Sequence, residues 1–200
     1  MSKKQSTKSM HWKKPPIIKI YEALGALADG RIEKAKDSCE SSGSTTGYPV
    51  VEPLKDGQSN HRTVKTLSNG DIEEWQVYSS SGNKFYMVRY DKQNNAIMSN
   101  DNGSYWQGYL GYPAIAVLLI TGAIKYQPKF AEALKGIKWK DLNTKFKNDY
   151  NKTIQYCHQL IRKRGYDLEE FLKEVKNIDK QIQTLKIKKL GKRLRPPQGY

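Results

Sequence analysis

The chain has 200 residues, with 35 lysines and arginines against 20 aspartates and glutamates, a formal charge of +15 and a pI near 9.6. With 37% apolar and 28% charged residues, it is sized for one domain of moderate core, or a small domain with an appendage, and not for two full domains. A membrane-spanning helix is excluded: the longest apolar run, residues 113–124, is 12 residues long and interrupted by Gly122, where about 18 or more are needed.

The N-terminal lysines are followed by no apolar h-region, so a secretory signal is not expected, and two isolated cysteines do not make a disulfide framework. A reducing, cytoplasmic setting is the expectation. The charge is unevenly spread. Residues 1–20 carry six lysines and no acid; residues 21–124 carry 9 basic and 12 acidic residues; residues 125–200 carry 20 basic and 8 acidic. A body of −3 is therefore flanked by ends of +6 and +12, a distribution suited to a polyanion.

In chain order, Pro15 and Pro16 precede Ile17, Ile18, Ile20, Tyr21, Leu24 and Leu27, an apolar face at helical spacing that closes at Asp29-Gly30. Residues 37–62 are rich in Ser, Gly, Thr and Pro without sustained periodicity and read as a polar loop insertion. From 72 to 99, three aromatic and branched runs are separated by Ser-Ser-Ser-Gly-Asn and Asp-Lys-Gln-Asn-Asn turns, which predicts a three-stranded antiparallel meander. A Gly- and aromatic-rich loop, SNDNGSYWQGYLGY, then leads to Pro113 at the start of a helix. Pro128 opens a short helical stretch that Gly136 stops.

From Asp141 to Arg164, apolar residues recur every three or four positions, predicting one helix of about six turns. After Gly165, Asp167 with Glu170 forms a capping-box pattern and opens a second helix with a heptad seam of Phe171, Val175, Ile178, Ile182 and Leu185. Two long helices joined by so short a turn run antiparallel. Their seam either packs inside the chain against the 113–124 helix or forms a face for a protein partner or a homodimer.

The fold class expected is α+β: a small antiparallel β-meander packed on helices, followed by a C-terminal antiparallel helical hairpin. Its organisation is a basic flexible tail over 1–15, an α+β domain over 16–136 with the insertion at 37–62, a helical hairpin over 137–190, and a basic, Pro-containing tail over 191–200.

The order of strand, turn, Lys84-Phe85-Tyr86-Met87-Val88-Arg89-Tyr90-Asp91, short strand, polar loop and a helix opening at Tyr112-Pro113-Ala114-Ile115-Ala116-Val117-Leu118-Leu119 resembles the SWIM-type zinc finger over roughly residues 72–121. That family places a Cys-x-Cys after the strands and a Cys-x-His at the helix opening. Here the first pair falls around Met98 to Asn100, and Tyr112 and Ala114 stand at the second. A structural zinc needs four Cys or His ligands at about 2.0–2.3 Å, and Cys39, Cys157, His11, His61 and His158 are scattered; Cys157 and His158 point about 100° apart on one helix. The resemblance therefore implies a unit without zinc, in which Asn100, Asp101, Asn102, Tyr105, Trp106, Tyr109 and Tyr112 hold the loop by hydrogen bonds and packing. No metal or other cofactor is expected.

Three groups of residues are candidates for function. Lys186, Lys188, Lys189, Lys192, Arg193 and Arg195 put six cations in ten residues with no acid, and with Lys13 and Lys14 they have the chemistry to neutralise phosphates. Arg162, Lys163 and Arg164 either do the same or complement the C-terminal dipole of their own helix. Tyr105, Trp106 and Tyr109, interleaved with Asn, Ser and Gly, either stack on unpaired bases or cap a small core. There is no phosphate loop, HExxH or GxSxG motif and no histidine context suggesting a general base. The chain is expected to be a non-enzymatic nucleic-acid-binding accessory protein, RNA being slightly favoured over DNA, with a protein–protein adaptor using the hairpin as the alternative and no membrane contact.

Overall fold

The computed structural model describes residues 11–35, 72–191 and 195–197. The polar segment at 37–62, Cys39, His61, Lys192 and Arg193 lie outside the described residues. The fold is α+β, a mixed five-stranded sheet with helices against it.

Pro15 and Pro16, with fixed φ and no amide hydrogen, lead into α1 (Ile18–Ala28), which ends at Asp29 and at Gly30 with φ +63°. The helix lies at the centre of the molecule, where even Glu22 is only 3% exposed. Two branched side chains of Asp29 and Arg31 tie its end to the rest: Gly136 N donates to Asp29 Oδ1 at 2.6 Å, Arg31 Nε meets Asp29 Oδ2 at 3.0 Å, and Arg31 Nη1 donates to the Tyr78 carbonyl at 2.6 Å.

The meander forms as the turn residues dictate. Strands β2 (Ile72–Tyr78), β3 (Phe85–Asp91) and β4 (Ala96–Ser99) pair antiparallel, with Trp75 opposite Val88 and Val88 opposite Ser99. Asp91 closes the second turn by accepting from Asn94 N at 2.9 Å and Asn94 Nδ2 at 2.8 Å. The sheet has two strands beyond this meander. At one edge β1 (Ile32–Lys34) pairs antiparallel with β2; at the other, β5 (Lys188–Lys189) pairs parallel with β4. The sheet is thus mixed, not purely antiparallel.

Helix α2 (Tyr112–Ile120) carries Pro113 in its first turn and is buried along Pro113–Leu119. Helix α3 (Pro128–Glu132) follows, and Gly136 turns the chain with φ +74°. The expected six-turn helix is two helices, α4 (Trp139–Lys145) and α5 (Tyr150–Lys163). Between them Lys147 and Asn148 take positive φ, +51° and +61°. Asp149 then accepts from Asn151 N at 3.1 Å and Lys152 N at 3.2 Å, so a new N-cap competes successfully with helix continuation. Helix α6 (Leu168–Thr184) begins at Asp167, whose Oδ1 accepts from Glu170 N at 2.9 Å.

One continuous apolar cluster runs from α1 through the sheet and α2 to α5 and α6, so residues 137–190 share the core of the preceding segment and no core boundary falls at 136. Phe171 is fully buried, edge-on to Tyr21 at 5.2 Å and to Phe130 at 6.0 Å. Val175, Ile178 and Ile182 are buried with it, and Leu185 is half-buried. This corrects the reading of the seam as a partner or dimer face: the chain's own core covers it. Among the described residues, no helix is long and apolar enough to cross a membrane.

Two part-buried polar pairs border this core. Lys19 Nζ lies 2.8 Å from Glu22 Oε2; burial works to lower the lysine's pKa, and the carboxylate's charge and hydrogen bond outweigh it, leaving it raised. The Tyr21 hydroxyl and His158 Nε2 share a hydrogen bond of 3.0 Å. Burial, and then the Arg162 charge, push His158 below its ordinary 6.5. Because the folded pKa is depressed, the native state resists protonation that the unfolded chain accepts. The stability that His158 contributes is complete above pH 6.5 and is lost as pH falls through the folded value.

Two outcomes follow for stability. Phe171→Ala lowers unfolding free energy by about 3–5 kcal/mol, read as a shift in the urea midpoint that does not change with protein concentration. The difference between wild type and His158→Gln, measured by urea titration across pH, falls on the acid side of neutrality and is flat on the alkaline side.

Candidate nucleic-acid interface

The loop after β4 is held by polar groups. Asn100 brackets Met87, donating its amide to the Met87 carbonyl at 3.2 Å and accepting from Met87 N on Oδ1 at 2.9 Å. Asp101, 6% exposed, accepts from Ser104 N on Oδ1 at 3.1 Å, and Ser104 Oγ accepts from Gly111 N at 3.1 Å. A side chain at Gly111 would collide with the Asp101 carboxylate, and one at Gly103 with the Tyr109 ring, so both positions require the bare backbone. Of the positions aligned with zinc ligands, Met98 and Ala114 are buried, Asn100 has the role just described, and Tyr112 is half-buried, edge-on to Tyr86. Among the described residues, no three His, Cys, Asp or Glu side chains gather as a metal site.

Residues 103–107 of this loop form a single π-helical turn, closed by Gly108 N donating to the Gly103 carbonyl at 2.9 Å, with Gly108 at φ +75°. Such turns are rare and frequent at functional sites. This one separates the three aromatic candidates. Tyr109 turns inward, half-buried against Gly103, with its hydroxyl pKa raised chiefly by burial. Tyr105 is half-buried. Trp106 is 68% exposed, the most exposed large apolar side chain among the described residues. The Tyr105 and Trp106 rings meet edge to face, 4.5 Å apart at 83°.

Both basic ends of the chain arrive beside this turn. After α6, Lys186 takes φ +47° and reverses the backbone. Ile187 is buried, Lys188 donates its amide to the Asn95 carbonyl at 2.9 Å, and Leu190 donates to Ile97 at 3.0 Å, which lays β5 along β4. Asn95 Nδ2 donates to the Leu185 carbonyl at 2.6 Å and fixes the reversal.

From the other terminus, His11 forms a bridge with Lys188, Lys13 N donates to the Gly108 carbonyl at 2.9 Å, and Trp12 Nε1 donates to the Lys188 carbonyl at 3.3 Å. Residues 11–14, expected in a flexible tail, are instead paired into the fold. Lys189 Nζ sits over the Trp12 ring, 5.3 Å from its centre, and Lys14 Nζ is 3.0 Å from Asp179. The side chains of Lys13, Lys186 and Lys188 are exposed and that of Lys189 is half-buried.

Arg195, Pro196 and Pro197 complete the region. With Asn102, Tyr105 and Trp106 they line a groove of about 400 Å³. The sequence-derived candidates Lys13, Lys14, Lys186, Lys188, Lys189, Arg195, Tyr105 and Trp106 thus lie in segments that meet around the β4–β5 edge and the 103–108 turn.

Arg162, Lys163 and Arg164 do not join them. They close α5, whereas Lys186 follows α6, and the 17 residues of α6 hold the two clusters about 25 Å apart. Arg164 Nη1 donates to the Ala133 carbonyl at 2.8 Å and, with Lys138 and Lys145, borders a separate groove of about 320 Å³ between α4 and α5. Part of that arginine's role is therefore to fasten α5 to the segment after α3. Sequence reasoning missed His11 and Trp12. A tryptophan set among lysines was the available signal.

The chain belongs to the family described as Uncharacterised conserved protein UCP014422, whose model matches residues 12–62 and 61–188. The matched span begins at Trp12 and closes at Lys188, the two residues joined across the basic edge. No curated protein and no solved structure matches the chain.

The loop's steric closure makes a direct prediction. Gly111→Ala forces Asp101 from its place and lowers stability by about 1–3 kcal/mol, measured by urea unfolding, with faster hydrogen exchange at the amides of Ser104 and Tyr105.

Proposed function

We propose that this protein binds nucleic acid without catalysing a reaction on it, using the β4–β5 edge as its contact surface. The observation that carries this reading is the meeting of the two basic ends, His11 and Trp12 joined to Lys188 and Lys13 paired with Tyr109, beside the exposed Trp106. A polyanion is the partner that such an edge suits: Lys13, Lys186, Lys188, Lys189 and Arg195 present positive charge, while Asp179 is engaged with Lys14 and Asp101 is buried in its loop. Phosphate contacts supply affinity and orientation without reading sequence. RNA is favoured over DNA, because aromatic rings beside cations suit strands whose bases are open to solvent.

On this reading, the unit that resembles a SWIM-type finger is a scaffold. Asn100, Asp101 and Ser104 hold its loop where that family uses a metal. Burial of Phe171, Val175, Ile178 and Ile182 in the chain's own core weighs against the adaptor alternative. Arg162, Lys163 and Arg164 are a secondary contact for a ligand long enough to reach them.

Salt dependence tests the proposal. Five phosphate contacts give a slope of log K against log salt of about −3.5 to −4.5, and replacing Lys13 and Lys188 with Gln flattens it by about 1.4–1.8. Fluorescence anisotropy with labelled RNA reads both values. A flat salt dependence, or unchanged affinity in the double variant, overturns the reading.

A further inference from the structure

We infer that the groove between the Gly103–Gln107 turn and residues 195–197 takes one unpaired nucleobase, stacked on Trp106 with Arg195 at its phosphate. This rests on the nucleic-acid reading above and specifies the ligand as single-stranded. Trp106 is 68% exposed although a tryptophan buried against apolar groups is strongly stabilising. The π-helical turn holds it outward, and Tyr105 meets it edge to face, which leaves at least one face of the indole uncovered by that ring.

The other walls have matching chemistry. Pro196 and Pro197 are rigid apolar rings with no amide hydrogen, so they bring no backbone donor that would need a partner when a flat ligand covers them. Asn102 is exposed at the rim and carries both a carbonyl acceptor and an amide donor, the pair that a base edge requires. Arg195 is exposed and supplies a planar guanidinium suited to phosphate. The volume, about 400 Å³, lies in the range of small-molecule sites. A base within a duplex has both faces covered by its neighbours, so only an unpaired base offers a face to Trp106. The lysines of β5 and Lys13 then serve the phosphates that flank it.

The experiment compares an oligouridylate with an RNA duplex of the same length, using wild type, Trp106→Ala, Trp106→Phe and the Lys13→Gln, Lys188→Gln double variant. Stacking of one base predicts that Trp106→Ala weakens oligouridylate binding roughly 5- to 150-fold, leaves duplex binding and the salt slope unchanged, and is largely rescued by Trp106→Phe. Tryptophan fluorescence is quenched by oligouridylate in wild type and not in Trp106→Phe. The wild-type urea midpoint in Trp106→Ala checks that the fold is intact, and Trp106→Phe carries the fluorescence readout independently. Equal losses on both probes, or no loss on oligouridylate while the lysine variant still weakens it, overturn the base site and leave the phosphate reading standing. Absence of salt-dependent binding to either probe removes both.

Discussion

Lys188 donates its amide to Asn95 and Leu190 donates to Ile97, and these two hydrogen bonds fix where the C-terminal charge goes. Without them, the cations after α6 would extend that helix or leave it as a solvated tail. With them, the chain reverses at Lys186, drives Ile187 into the core, and presents Lys188 outward. The new strand in turn offers an edge to His11 and its carbonyl to Trp12. Residues 11–14 are therefore localised beside a strand of two residues, and the site depends on backbone pairing before any side chain contributes.

That convergence works against electrostatics. Two like charges about 8 Å apart in water repel by about 0.5 kcal/mol, and several such pairs arise when Lys13, Lys188 and Lys189 share an edge. The local compensations are of the same size. Lys189 over Trp12 contributes about 0.5–2 kcal/mol as a half-buried cation–π contact, and the Lys14–Asp179 pair about 0.2–1 kcal/mol. The protein thus holds a cationic edge whose internal repulsion is partly offset, and under the proposed reading a polyanion would remove the remainder. Lysines on an edge strand also disfavour its pairing with another chain.

The parts of this fold that sequence revealed are those with local causes. Prolines and glycines bounded α1, α2 and α3, turn residues divided β2, β3 and β4, and Asp167 marked the start of α6. The parts it concealed have distant causes. Trp12 and Lys188 are 176 residues apart, and Asn95 and Leu185 are 90 apart; a two-residue strand has no periodicity from which such pairing could be read. The run from 141 to 164 misled for a different reason. Helices α4 and α5 bury the same side of the pattern, so the apolar spacing passed through the Lys147-Asn148 break unchanged. Of the site, the charges and the aromatic loop were legible one by one. Their adjacency was not, nor was the division between Trp106 outside and Tyr109 inside, which the π-helical turn imposes.

The linear charge profile of +6, −3 and +12 takes on another meaning in three dimensions. Several acids of the middle segment are turned inward or already engaged: Glu22 with Lys19, Asp29 with Arg31, Asp91 with Asn94, Glu74 with Arg89. They stabilise the body and project little negative charge toward the β5 edge. The positive charge is divided as well, between that edge and the α5–α6 turn about 25 Å away along α6. The turn cluster has charge and one arginine already bonded to the Ala133 carbonyl, which equips it to hold a phosphate and nothing more selective. The β5 edge has a flat, exposed ring beside its cations, so under the proposed reading it joins attraction for a phosphate backbone to a surface on which an open base can stack.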